Sequence, residues 1–134
     1  MALILILEDE ALLRTTLRRR LERFGHVVHE APSIAEGRQH LARHRPDLVL
    51  LDLSLPDGNG LDFLDEQREA LGESLVLVMT GTGQIEDAVR AMKLGALDFL
   101  QKPVAIQTLC SAIQAATERS RAHRGDPRDD ERRP

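Results

Sequence analysis

Five side chains in this 134-residue sequence could do chemistry together: Glu8, Asp9, Asp52, Thr80 and Lys102. Each stands at the end of a short apolar run. Leu3–Leu7 leads into Glu8 and Asp9, Leu48–Leu51 into Asp52, Leu75–Met79 into Thr80, and Asp98–Gln101 into Lys102. If those runs are parallel strands, their C-terminal ends share one edge, where ligands bind in open parallel sheets. Three carboxylates on one edge repel one another and favour a divalent cation. An all-oxygen ligand set suits Mg2+, or Mn2+, with waters completing an octahedron. A metal and a lysine together can neutralise a phosphoryl group in transfer. A carboxylate can itself be the nucleophile and form an aspartyl-phosphate. Thr80 could donate a hydrogen bond to a phosphoryl oxygen, and the small Gly81 leaves room for a phosphate donor.

The elements that must position these groups are legible as an alternation. Leu3–Leu7 is continuously apolar, as a strand buried on both faces should be. Leu13, Leu17, Leu21 and Phe24 then recur at helical spacing, and Gly25 stands where a left-handed C-cap is expected. Val27–Ala31 is a less uniform strand, expected nearer an edge. Ser33 with Glu36 has capping-box spacing and opens a second helix to about His44. Leu48–Leu51 is the third strand. The turn-rich Pro56–Gly60 precedes a third helix, about Leu61 to Ala70. Leu75–Met79 is the fourth strand. Ile85, Ala88, Val89 and Met92 form the stripe of a fourth helix closed by Gly95. Asp98–Gln101 is the fifth strand, and Ile106, Leu109, Cys110, Ile113 and Thr117 outline the last helix. Five repeats of strand then helix predict an α/β fold, a doubly wound five-stranded parallel sheet with five helices.

Composition narrows the function classes. The chain is 42% hydrophobic with three Phe and no Tyr or Trp, so the core is aliphatic and a base-stacking surface is not expected. Its net charge of −4 gives no electrostatic reason for direct binding to nucleic acid or an anionic membrane. A single cysteine, Cys110, excludes an internal disulfide and fits a reducing cytoplasm; it is read as inert packing. The apolar start is too short for a signal peptide or a membrane span. Residues 119–134 hold six Arg against four acids, and helical periodicity fades after about Ser120. This divides the chain into a folded domain, 1–120, and a charged flexible tail or start of an inter-domain linker, 121–134. Among the five histidines, only His40 and His44 stand at helical spacing, and they are read as a solvated face.

Glu8-Asp9, Asp52, Thr80-Gly81 and Lys102-Pro103, in that order and on those elements, resemble the signature of response-regulator receiver domains of two-component systems. The loop Leu55-Pro56-Asp57-Gly58-Asn59-Gly60 is similar too. The stretches Met79–Gly81, Ala91–Ala96 and Asp98–Pro103 look most like the receivers of NtrC-type transcription activators. The resemblance covers residues 3 to about 118 and implies a flavodoxin-like fold of the receiver type. It implies that Asp52 is the phosphoacceptor, supplied by a sensor histidine kinase. Asp9 and Asp52 would ligate Mg2+, with Glu8 helping through water and the backbone carbonyl of Ser54 as a further ligand. Lys102 would pair with the phosphoryl group, and its bond to Pro103 would be cis. Thr80 and Phe99 would be the switch pair. Their movement would reshape the face made by the fourth helix, fifth strand and fifth helix, altering contact with an effector domain or output protein, or homodimerisation. Such a protein is cytoplasmic and catalyses only its own phosphorylation and dephosphorylation. The one mild departure is Glu8, where Asp is more usual in the family.

Other readings are weaker. A phosphatase of the haloacid-dehalogenase class also uses a nucleophilic Asp and Mg2+, but it needs a second Asp two residues on, where this chain has Ser54. A nucleotide-binding module needs a glycine-rich phosphate loop after the first strand, and none is present. A receiver-like module working without phosphate would not need the intact acidic set. Singly, Asp52 could be a cap, Glu8 and Asp9 a helix N-terminus, Thr80 a strand-end hydroxyl, Lys102 a surface lysine and Phe99 core. Their joint order points to phosphoryl chemistry.

Overall fold

The computed structural model describes residues 1–81 and 84–125, with side chains through Glu118. Its elements are β1 (Leu3–Leu7), α1 (Ala11–Arg23), β2 (Val27–Ala31), α2 (Ile34–Arg43), β3 (Leu48–Asp52), β4 (Ser54–Leu55), β5 (Gly58–Asn59), α3 (Gly60–Glu66), α4 (Arg68–Leu71), β6 (Leu75–Thr80), α5 (Ile85–Lys93), β7 (Asp98–Gln101) and α6 (Ile106–Gly125). Five strands make one parallel sheet in the order β2-β1-β3-β6-β7, and β4 and β5 form a separate antiparallel ribbon. β2 is an edge strand, as its mixed composition predicts.

The apolar runs are continuous because both faces of the sheet are covered. Alternate residues of a strand point to opposite faces. Leu5, Leu7, Val49, Leu51, Val76 and Val78 join Ile34, Leu41, Phe63, Leu64 and Ala91 in one buried cluster. Ile4, Ile6, Leu48, Leu50, Leu77 and Met79 join Leu17, Leu21, Leu109 and Ile113 in the other. So α2, α3 and α5 cover one face, and α1 and α6 cover the other. Full burial of each such side chain contributes about 1.5–3 kcal/mol, which leaves the sheet's carboxyl edge free to carry polar groups.

Local signals act as the sequence predicts. Gly25 and Gly95 sit just past α1 and α5 with φ of +90° and +96°, the left-handed region open to glycine. The Ser33 hydroxyl accepts from the Glu36 N–H at 3.2 Å. Besides the β4–β5 ribbon, which stands where a turn-rich loop is expected, three features differ. The third helix breaks at Gln67 into α3 and α4, so the described residues hold six helices rather than five. The last helix runs to Gly125, past the expected boundary at 120, with no Gly or Pro to stop it earlier. The rest of the expected tail, 126–134, lies outside the described residues. The third difference is on α5, whose apolar stripe does not face the core. Ile85, Val89 and Met92 are 77%, 47% and 49% exposed, while Ala91 is fully buried. Periodicity reveals that a helix has an apolar face but not what covers it. No helix among the described residues is long and apolar enough to cross a membrane.

Candidate functional site

The chain leaves β1 toward β2 and returns across it to β3. Helix α1 therefore departs to one face of the sheet and α3 to the other, which opens a crevice between the carboxyl ends of the two strands. Glu8 and Asp9 follow β1 and Asp52 ends β3, so all three enter that crevice. One ligand oxygen from each lies within 4.8 Å of the others. Lys102, delivered by the end of β7, closes the cluster. Its Nζ is 2.6 Å from Glu8 Oε1 and 2.9 Å from Asp52 Oδ2.

The cluster is held from several sides. The Asp52 side chain accepts from the Ser54 N–H at 3.1 Å through Oδ1, so both its oxygens are engaged. Glu8 Oε2 accepts from the Glu10 N–H at 3.0 Å, and Arg14 donates to the Glu8 carbonyl at 2.8 Å. The Lys102 N–H donates to the Thr80 carbonyl at 2.7 Å, which ties the β7 end to β6. The Lys102–Pro103 bond is cis, as the resemblance implies. Gly60 passes so close that a Cβ on it would lie 2.6 Å from the Asp52 carbonyl oxygen.

Burial makes these charges matter. Glu8 is fully buried and Asp52 is 3% exposed, while Asp9 faces solvent. Three carboxylates, two of them buried, stand around a single ammonium. Burial pushes the Glu8 carboxyl above its usual range, and the nearby Asp52 charge adds to that. The hydrogen bonds from Lys102 and the Glu10 N–H only partly offset the rise. Burial alone would lower the Lys102 ammonium, but hydrogen bonds and charge from Glu8 and Asp52 outweigh it and raise its pKa. This excess of buried carboxylate, one of its members open to water, fits a small divalent cation that takes oxygen ligands.

Thr80 ends β6, one strand over from Asp52, and is buried. Phe99 on β7 is half-buried and packs against the cluster that contains Ala91 and Ala96. Ser54 sits on β4, exposed, two residues beyond Asp52. The structure thus pairs Lys102 directly with Glu8 and Asp52 and brings Asp9 within 4.8 Å of both carboxylates, with Ser54 and Thr80 beside them and Phe99 farther along β7.

Sequence reasoning missed two arrangements. Glu8 is the nearest carboxylate to Lys102, a pairing of residues 94 positions apart. His29, His40 and His44 pack together, with His29 ring centroids 5.2 Å from His40 and 4.7 Å from His44. His40 also reaches the Glu30 carbonyl at 3.0 Å, so only His44 of the expected solvated pair is exposed. The helical spacing of His40 and His44 was the only available signal, because His29 lies on a strand.

Comparison with known proteins bears on the family. Residues 4–114 match the family model described as Response regulator receiver domain. The chain is 38% identical over 117 residues to the photosynthetic apparatus regulatory protein RegA of Cereibacter sphaeroides, covering 87% of this chain and 63% of that protein. It is 37% identical over 119 residues to the KDP operon transcriptional regulatory protein KdpE of Escherichia coli, covering 89% of this chain and 52% of KdpE. Among solved structures, NtrX from Brucella abortus superposes with a TM-score of 0.82 at 32% identity, over 92% of this chain and 28% of that one. The chain therefore spans roughly half to two-thirds of the curated relatives it matches. These relatives support the family as a whole and do not single out NtrC-type activators.

Proposed function

The chain belongs to the response-regulator receiver family, and on that premise we propose that Asp52 accepts a phosphoryl group from a sensor histidine kinase. One observation carries this reading. Asp52 is a nearly buried carboxylate with Lys102 on one oxygen and two further carboxylates within 4.8 Å. In the transfer, an Asp52 oxygen forms a bond to phosphorus as the bond from phosphorus to the donor imidazole nitrogen breaks. The bonding pair returns to that nitrogen. Lys102 then moves its ammonium from the carboxylates to the arriving phosphoryl oxygens, and Thr80 donates its hydroxyl to another. Asp9 and Asp52, with Glu8 through water and the Ser54 carbonyl, would hold Mg2+, or Mn2+, whose charge offsets that of the phosphoryl oxygens.

Thr80 and Phe99 are read as the switch that couples phosphorylation to α5, β7 and α6. The exposed Ile85, Val89 and Met92 support this face as the output surface, because such a stripe on a helix is the kind of patch partners cover. Its partner would be an effector domain or output protein, or a second copy of the chain. Residues 1–120 form the receiver, which contacts neither nucleic acid nor membrane and catalyses only its own phosphorylation and dephosphorylation. The rest would lead toward an effector of a cytoplasmic transcription regulator, with the NtrC type one candidate from the sequence motifs.

The test is intact mass after incubation with Mg2+ and acetyl phosphate, repeated with a histidine-kinase donor. Wild type should gain one acid-stable, base-labile phosphoryl group and Asp52→Asn none. No gain from either donor would refute the phosphoacceptor assignment in favour of a module that binds partners without phosphate.

A further inference from the structure

The ribbon that follows Asp52 is too small to hold its own shape. β4 and β5 have two residues each, paired Ser54 with Asn59 and Leu55 with Gly58, and so short a ribbon is not independently stable. Pro56 and Asp57 form its turn, and residues 56–59 are exposed. What anchors that turn lies across the sheet edge, at the start of α2.

The first N–H groups of a helix have no partner within the helix. In α2, the Ser33 hydroxyl takes the Glu36 N–H. The Ile34 and Ala35 N–H groups instead donate to the two oxygens of Asp57, at 2.8 and 2.9 Å. A local cap would have satisfied them at similar gain, but this one comes from 22 and 23 positions away. The turn also rests on Ile34. A Cβ on Gly58 would lie 2.9 Å from Ile34 Cδ1. The two backbone N–H groups hold the Asp57 carboxyl below its usual range, so it stays ionised as an acceptor.

We propose that Asp57 is a positioning residue for the metal site: its carboxylate fixes the β4–β5 ribbon on the N-terminus of α2 and so holds Ser54 where its backbone carbonyl can join Asp9 and Asp52. The inference rests on the metal-binding reading given under Proposed function. Groups that orient metal ligands without touching the metal typically change affinity about 10–100-fold when removed. Asp57→Ala should therefore weaken metal binding about tenfold. Asp57→Asn, which keeps one acceptor oxygen, should fall between.

The experiment is calorimetric titration of the full chain with Mn2+, for wild type, Asp57→Ala, Asp57→Asn and Ser33→Ala, with circular dichroism to verify folding. Ser33→Ala removes a cap from the same helix end but leaves both Asp57 bonds in place, so it should bind Mn2+ as wild type does. Amide exchange should accelerate at Ile34 and Ala35 in Asp57→Ala and across 53–60 with it. Unchanged Mn2+ affinity in Asp57→Ala overturns the inference while leaving the metal site intact. So does an equal loss in Ser33→Ala, because helix stability would then be the cause. A wild type that binds no Mn2+ refutes the metal reading itself, and the inference falls with it. If Asp57→Ala does not fold, the Asp57→Asn titration decides between the same results.

Discussion

Replacing Lys102 with Met keeps an unbranched side chain one atom shorter and removes its charge. In the wild type its Nζ lies 2.6 Å from Glu8 Oε1 and 2.9 Å from Asp52 Oδ2, and those side chains are 0% and 4% exposed. Removing one partner from a buried charge pair typically costs about 3–5 kcal/mol, because the remaining charge is left uncompensated. The Lys102 side chain is 24% exposed, so water already screens part of the interaction, and a loss of about 2–3 kcal/mol is expected. Two dependences identify the cause. Burial raises the folded-state pKa of Glu8 above its unfolded value. Its favourable contribution is therefore complete below the unfolded value, near 4.5, and is lost as pH rises through the folded one. With no ammonium beside it Glu8 should hold its proton still more firmly, so the variant should recover stability as pH is lowered toward that window. Added Mg2+ should also restore it, by about 2.7 kcal/mol when free metal is 100 times its dissociation constant. The chain has no Trp or Tyr, so urea unfolding followed by far-ultraviolet circular dichroism is the assay, in chelator and in excess Mg2+. A variant as stable as wild type in chelator would refute the argument that Lys102 offsets the buried carboxylates.

Two other perturbations test different parts of the structure. Gly60→Ala places a Cβ 2.6 Å from the Asp52 carbonyl oxygen and 3.0 Å from Leu53 Cα. The backbone that carries Asp52 must shift, at a cost of about 1–3 kcal/mol, and a urea midpoint equal to wild type would contradict that contact. The His29 imidazole is held below its usual pKa by burial first and then by His44 and His40. A depressed histidine contributes stability that is present above its unfolded value, near 6.5, and is lost as pH falls through the folded one. His29→Gln should therefore flatten the fall in stability on acidification below about pH 6.5, read as the difference in urea midpoint across that range.

Much of this molecule is local and could be read along the chain. The apolar runs that form β1, β3 and β6 are continuous because both sheet faces are covered, and this shows as composition. Gly25, Gly95 and Ser33 mark helix ends through conformations or bonds that span a few residues. The site residues stand at strand ends, so once the parallel alternation was recognised their convergence followed from topology. The split at Gln67 left no comparable mark, since Leu61–Leu71 contains no Gly or Pro.

What the sequence by itself determined is the five strands of the parallel sheet, their alternation with helices and the group of side chains delivered to one edge. Tertiary structure alone decided which of those groups pair. It put Glu8 rather than Asp9 nearest Lys102, set Asp57 on the amides of α2, wedged His29 against His40 and His44, and turned the α5 stripe to solvent. The physical reason is range. Backbone preference and side-chain periodicity act over one or two turns. A hydrogen bond between residues 94 positions apart exists only where packing across the sheet has brought two chain segments together.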